Sequence, residues 1–314
     1  MWIWALLRLA ATAHAGETPD DLLFEVRERI RHGDYAEARA LAERAVSLPG
    51  DHQRTAQYLQ AMAFEFDGDF VAAMAIYDAL EAAWPAGQVP DDLRFRRAEC
   101  LGRLDRFREA RKELRRLPHV DRPPEDRLKI DALRGIWEVE LGKQRRGYRR
   151  LHRAIDEVDP SWAPRYQALA RHEILVRATE TAALLTFEGS DARKARSLQE
   201  RATLIAAADT QLAQLVPLEQ TDLLLDGFLR QARAHRALGR DMLDESPLSK
   251  LTDAQRQVNR DLLEERVAAV WTKASLYYDR GVMVAARMDW TGEPVPTMKR
   301  EYAATLDEVD ALSP

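Results

Sequence analysis

Three acidic side chains, Glu219, Asp222 and Asp226, recur at spacings of three and four residues, which on a helix would set them along one face. Carboxylates grouped in this way can share acid and base roles, or hold a divalent cation, when their surroundings separate their pKa values or a cation binds. Nothing else in the sequence converges on them, so a solvated helix face is the simpler reading. The other groups able to do chemistry are scattered. His172-Glu173 lacks the second histidine one turn on that a zinc-binding helix needs. Cys100 is the only cysteine, which excludes an internal disulfide and a cysteine zinc site. Neither common phosphate-binding glycine loop occurs, and there is no G-x-S-x-G elbow. The expectation is a chain that is not an enzyme, with no catalytic residue, no metal and no cofactor.

A second set of residues offers charge instead of reactivity. Arg146, Arg149, Arg150 and Arg153 follow helical spacing and are expected to form one basic stripe. The stripe could meet an acidic protein surface, phosphate groups or the acidic parts of the same chain. It belongs to a basic middle, since residues 91 to 153 hold 20 Lys/Arg against 12 Asp/Glu while the whole chain of 314 residues carries a net charge of -5. Such asymmetry could steer an acidic partner, although surfaces rich in Arg and Glu also occur as plain solvated helix faces. Nucleic acid is not expected as a partner: the overall charge is mildly acidic and aromatic residues do not interleave with the arginines.

The elements that would position these residues are helices. Ala, Leu, Arg and Glu dominate, and no segment alternates apolar and polar side chains long enough to form a sheet. The fold class is therefore all-α. Within residues 19–160 one pattern returns: Gly33-Asp34-Tyr35-Ala36-Glu37-Ala38, then Gly68-Asp69-Phe70-Val71-Ala72-Ala73, then Leu104-Asp105-Arg106-Phe107-Arg108-Glu109-Ala110, and a worn copy at Gly142-Lys143-Gln144-Arg145-Arg146-Gly147. Aligned on Ala38, Ala73, Ala110 and Gly147, the steps are 35, 37 and 37 residues. A turn followed by a small residue inside a helix, at such a period, marks stacked helix-turn-helix units.

Gly33, Tyr35, Ala38, Ala45 and the helix-ending Pro49 resemble a tetratricopeptide repeat. A second unit, about Gln53 to Pro85, keeps Gly68, Phe70, Ala73, Tyr77 and Pro85. A third, about Asp91 to Pro118, keeps Phe107 and Ala110 but has Leu104 at the turn, and a fourth, about Pro124 to Pro160, keeps Gly142, Ala154 and Pro160. The resemblance implies a superhelical solenoid whose first helices line a groove that binds an extended peptide or a helix of a partner protein. In the family's register Arg31, Tyr58, Phe66, Phe95, Arg96 and Arg103 would face that groove. Arginines and aromatics are the composition of a binding hot spot, and the three aromatics would equally serve as packing between repeats. Arg29, Gln57, Arg94 and Asp131 stand where the family usually places large apolar side chains, so either these helices are rotated or the register shifts by one.

Beyond residue 160 the period is lost, and residues 161–314 are expected to form a bundle of longer helices: Trp162 to Phe187, Ala192 to Val216, Leu218 to Leu243, a very long one to about Met288 opened by a Thr252–Gln255 capping box, and Thr297 to Leu312. A buried stripe of Leu223, Leu224, Phe228, Leu229 and Leu238 is expected in the third. Residues 1–15, ending Ala13-His14-Ala15, resemble a signal peptide with its cleavage site, which would place the mature chain in the periplasm or outside the cell. Without such a signal it would be cytoplasmic. No other stretch is apolar enough to span a membrane. The function that follows is a scaffold of the bacterial cell envelope binding a protein partner, one with an acidic segment being favoured by the basic middle. The alternative is an enzyme or small-molecule-binding protein with its site in the long-helix half and the repeats as a docking module.

Overall fold

A computed structural model describes residues 18–85, 88–117, 122–156, 159, 161–244 and 251–312. The expected signal peptide and the helix-ending Pro118 and Pro160 lie outside the described residues, as does Pro247, expected in a loop. Thirteen α-helices and one short 3₁₀ turn make up the described chain. The first eight pair as α1 (Pro19–His32) with α2 (Tyr35–Ser47), α3 (Gln53–Phe66) with α4 (Phe70–Ala83), α5 (Asp91–Arg103) with α6 (Phe107–Arg116), and α7 (Pro124–Glu140) with α8 (Gln144–Asp156). The remainder are α9 (Pro164–Ala183), α10 (Asp191–Leu215), α11 (Thr221–Leu243), α12 (Asp253–Arg287) and α13 (Val295–Asp310).

Helix α1 opens on a capping box: the Thr18 hydroxyl accepts from the Asp21 N–H at 3.2 Å, and the Asp21 carboxylate accepts from the Thr18 N–H at 3.1 Å. Each of the first four helix pairs then turns through one geometry. A residue with positive φ closes the first helix, at Gly33 (84°), Gly68 (86°), Asp105 (58°) and Gly142 (74°). The next N–H reaches back to the carbonyl five residues earlier: Asp34 to Arg29, Asp69 to Phe64 and Arg106 to Leu101 at 2.9 Å, and Lys143 to Glu138 at 2.8 Å. This is the Schellman arrangement, which satisfies carbonyls that a helix end leaves open. It corrects the third turn, where Leu104 was expected. Asp105 takes the glycine position, two residues before the aromatic, because an aspartate side chain tolerates the left-handed region better than leucine.

The small residues behave as expected. Ala38, Ala42, Ala45, Ala73 and Ala110 are fully buried, and Gly147 is buried in the fourth pair. A Cβ on Gly147 would lie 2.6 Å from the Val139 Cγ2 and 2.7 Å from the Gly135 carbonyl oxygen, so the closest approach of α7 and α8 is a glycine-on-glycine contact. Two of the charged residues at apolar positions are satisfied across their own helix pair, whereas the buried Nε of Arg94 has no hydrogen-bond partner among the described residues. Arg29 is half-buried and meets Glu37 of α2 at 3.0 Å, and buried Asp131 accepts from Arg150 of α8 at 2.6 Å.

Contacts divide the chain into two compact units, Met1–Asp121 and Arg122–Pro314. The first holds α1 to α6 and the second α7 to α13. The fourth helix pair thus groups with the long helices rather than with the three repeats before it, because Ala170 and Ile174 of α9 join Ala132, Leu151 and Ile155 of α7 and α8 in one core. In the second unit α11 is the central element. Leu224, Leu225, Phe228 and Leu229 are buried against α9, α10, α12 and α13 in one cluster, with Leu223 only partly covered. Leu238 and Met242 pack with Val267 and Trp271 in another. The expected capping box opens α12, with Thr252 accepting from the Gln255 N–H. Its 35 residues span about 52 Å at ~1.5 Å each.

Candidate functional site

The first unit brings three helices together around one carboxylate. Glu65, near the end of α3, accepts a hydrogen bond from the Tyr77 hydroxyl of α4 at 2.8 Å and from the Arg96 guanidinium of α5 at 3.2 Å. Tyr77 is fully buried; burial, reinforced by the Glu65 charge, pushes its hydroxyl far above the ordinary tyrosine range. Burial works against the charge on Arg96, but Glu65, with Glu99, Tyr77 and Asp92 adding to it, outweighs that and keeps it a cation. The guanidinium lies 5.3 Å from the centre of the Phe66 ring. Phe66 also stacks with Tyr35 of α2, ring centres 6.2 Å apart and planes at 21°. Despite these neighbours Phe66 is 45% exposed. An aromatic face fixed between a ring and a paired arginine is a preorganised apolar anchor.

Of the residues expected in the groove, Phe66 and Arg96 are therefore in direct contact. Tyr58 joins them indirectly: its ring lies 5.9 Å from that of Tyr77 and its hydroxyl donates to Asp92 of α5. Beside Tyr58 a cleft of about 230 Å³ opens between α3, the end of α4 and the start of α5, lined by Arg54, Leu80, Trp84 and Leu93. The Arg54 guanidinium sits 5.0 Å over Trp84. Phe95 is partly buried. Arg31 pairs with Glu28 on its own helix at 2.6 Å and Arg103 stands exposed; neither touches the Phe66 network. Tyr35, Glu65 and Trp84 are the members that the sequence did not single out. In the sequence Tyr35 stands out only as the aromatic after a turn, and its position two residues after Gly33 is the available signal. Cys100 is buried, and burial followed by Glu65 and Glu99 pushes its thiol well up, so it is no nucleophile.

The basic stripe divides in two. Arg146, itself mostly in solvent, and Arg150 reach Glu138, whose side chain is 1% exposed, at 3.1 and 3.4 Å, and Arg150 also holds Asp131. Arg149 and Arg153 are exposed. Other cations of the basic middle are likewise used inside the fold: Arg97 bridges Asp78, Glu81 and Glu113 on α4 and α6. The carboxylate trio does not share a helical face. Pro217 belongs to a 3₁₀ turn over Val216–Leu218 and Glu219 follows it with φ 54°, so only Asp222 and Asp226 lie on α11. Asp226 accepts from His172 at 2.7 Å and from Arg230 at 2.6 Å. Burial alone would raise its pKa, but these two bonds win and lower it. With both partners on the same oxygen, the carboxylate ties α9 to α11. A cleft of about 300 Å³ beside it is lined by Arg201, Arg230, Arg233 and Glu180. The arginines there are already paired, with Asp241, Asp226 and Glu301 respectively. Among the described residues no group of three His, Cys, Asp or Glu side chains is placed to hold a metal ion.

The first four helix pairs share one turn geometry, one buried small-residue contact and one spacing. They are repeated helix-turn-helix units, the fold that the tetratricopeptide resemblance implies. No known family profile matches the chain, and no curated protein matches it either. Solved structures similar to it include the C-terminal part of a tetratricopeptide repeat-containing protein from Cytophaga hutchinsonii, at 13% identity and a TM-score of 0.46, covering 93% of this chain and 95% of that one. A tetratricopeptide repeat protein from Parabacteroides merdae aligns at 13% identity and a TM-score of 0.42 over 93% of this chain and all of the other. The APC/C hetero-tetramer Cut9–Hcn1 aligns at 12% identity and 0.41, over 98% of this chain and 68% of that one. No helix among the described residues is long and apolar enough to cross a membrane.

Proposed function

We propose that the chain is a noncatalytic scaffold that holds another protein against its repeats, with Phe66 as the apolar anchor and Arg96 as the cation beside it. The observation that carries this reading is Phe66 itself, nearly half exposed yet fixed between Tyr35 and a guanidinium that Glu65 locks in place. A partner loses little entropy docking on side chains already held in one geometry. The adjacent Tyr58–Trp84 cleft offers room for one further side chain. Exposed Arg103 in the first unit, and exposed Arg149 and Arg153 in the second, are among the cations left for acidic segments, and make no ion pair among the described residues. The alternative, a substrate or small-molecule site in the long-helix half, has its best location in the Arg201–Arg230–Arg233 cleft, where each arginine is committed to a carboxylate.

Residues 1–15 support a placement in the bacterial envelope. Amino-terminal sequencing of the mature protein tests that placement, with Gly16 expected as the first residue and an intact Met1 removing it. Affinity recovery from the source cell tests the binding role. The wild-type chain is expected to retain a discrete protein partner that Phe66→Ser together with Arg96→Glu releases; the same set of proteins recovered with both chains would refute it.

A further inference from the structure

Helix α12 presents a regular outer face that none of the described residues covers. Its inner residues, Val267, Trp271, Ala274, Tyr278, Gly281 and Ala285, pack into the bundle. On the outer side Leu262, Leu276 and Met283 are 50, 43 and 57% exposed, and exposed Ala269 completes a row at seven-residue steps. Four positions after each stands an exposed cation: Arg266, Lys273, Arg280 and Arg287. An apolar row flanked by one sign of charge at heptad spacing is how a helix presents itself to another helix. The cation row is about 32 Å long at ~1.5 Å per residue. Lys273 also holds Asp209 of α10 at 2.5 Å; Arg266, Arg280 and Arg287 make no ion pair among the described residues.

Beside the last two turns of this row a cleft of about 340 Å³ lies between α10 and α12. Buried Phe228 and Tyr277 form its floor, with Leu212, half-exposed Val216 and Met283 at its sides and Arg280 and Arg287 lining it. Asp209, the carboxylate in that lining, is already occupied by Lys273 and by the Tyr277 hydroxyl at 2.5 Å. A small anion would engage one arginine, not a row whose members stand about 10 Å apart. A second copy of the chain fits poorly. Two antiparallel α12 helices would set cation row against cation row, and two parallel ones would set it against the opposite flank of Glu265, Thr272, Asp279 and Ala286, where only two of four positions are acidic. Glu265 and Asp279 on the opposite flank confine the demand for acids to one side.

We infer that the outer face of α12 and the α10–α12 cleft form a second docking surface, which takes an acidic amphipathic helix of another protein. One large apolar side chain of that helix enters the cleft, and its carboxylates lie along Arg266, Lys273, Arg280 and Arg287. This surface is independent of Phe66. The test is a display selection of random helical peptides of about four heptads on the full-length chain, followed by fluorescence anisotropy of the selected peptides. Selected sequences are expected to carry Glu or Asp along one flank of an apolar face. They should lose affinity about tenfold or more with Arg280→Glu/Arg287→Glu and with Met283→Gln, weaken as salt is raised, and bind Phe66→Ser unchanged. Because all three positions on α12 are exposed, unfolding midpoints of these variants should match the wild type. Peptides without acidic enrichment, binding indifferent to the α12 variants, no binders at all, or a dimer in sedimentation that Met283→Gln dissolves would each overturn the inference.

Discussion

Arg150 reaches Asp131 at 2.6 Å and Glu138 at 3.4 Å, whereas Arg149, its neighbour, stands in solvent. Asp131 and Glu138 are both buried; Arg146 stays on Glu138 when Arg150 is replaced, yet removing the shared cation from two buried ion pairs is costly even when a pair adds little over an apolar substitute. Arg150→Met should therefore destabilise the chain by about 3 kcal/mol, while Arg149→Met changes stability by no more than about 0.5 kcal/mol. Urea denaturation of the two variants measures the difference; equal midpoints would show that the ion pairs contribute nothing. The sequence carries these four arginines at helical spacing, and spacing alone put them on one stripe. What it does not carry is the angle at which α8 meets α7, which decides which arginines find carboxylates. In the same way Arg29 and Asp131 looked misplaced in the repeats, because their partners Glu37 and Arg150 come from the following helix.

At the scale of elements, Asp209 fastens three helices of the second unit. It lies on α10 and accepts from Gln231 of α11 and from Lys273 and Tyr277 of α12, with His235 of α11 at 3.6 Å. Burial favours its neutral form, but His235, Lys273 and Tyr277 together outweigh burial and hold its pKa far below the usual carboxylate range. A native pKa depressed below the unfolded value of about 3.9 gives stability that is complete above that value and lost as pH falls through the native one. Asp209→Asn should thus lower the melting temperature at pH 7, and its gap to the wild type should narrow below about pH 4. A gap independent of pH would remove Asp209 as a fastening. The helices themselves were legible from caps, glycines and prolines: Thr252 and Gln255 open α12 where expected, and each long helix begins and ends within a few residues of its expected bounds. The two departures are local. Asp105 replaces Leu104 at a turn, and the 3₁₀ turn at Pro217 detaches Glu219 from the carboxylate face, both backbone choices that spacing does not encode.

Across the whole molecule, the period of 35 to 37 residues says how many repeats there are but not which neighbours they join. The fourth pair packs its core against α9, so the compact units divide near residue 121 rather than where the period stops. The contact between Phe66 and Arg96 joins two residues that the family register expects on one face. Arg31 and Arg103 shared that register without meeting them, because a helix face is wider than one contact. The central claim is that the fixed Phe66 is a protein-binding anchor, and a photocrosslinking amino acid placed there in the intact source cell tests it most directly. Phe24, 64% exposed on α1 and outside the Phe66 network, serves as the control position. A discrete protein adduct at position 66, absent at position 24 and lost with Arg96→Glu, is the predicted result; equal adducts at both positions, or none at 66, would contradict it.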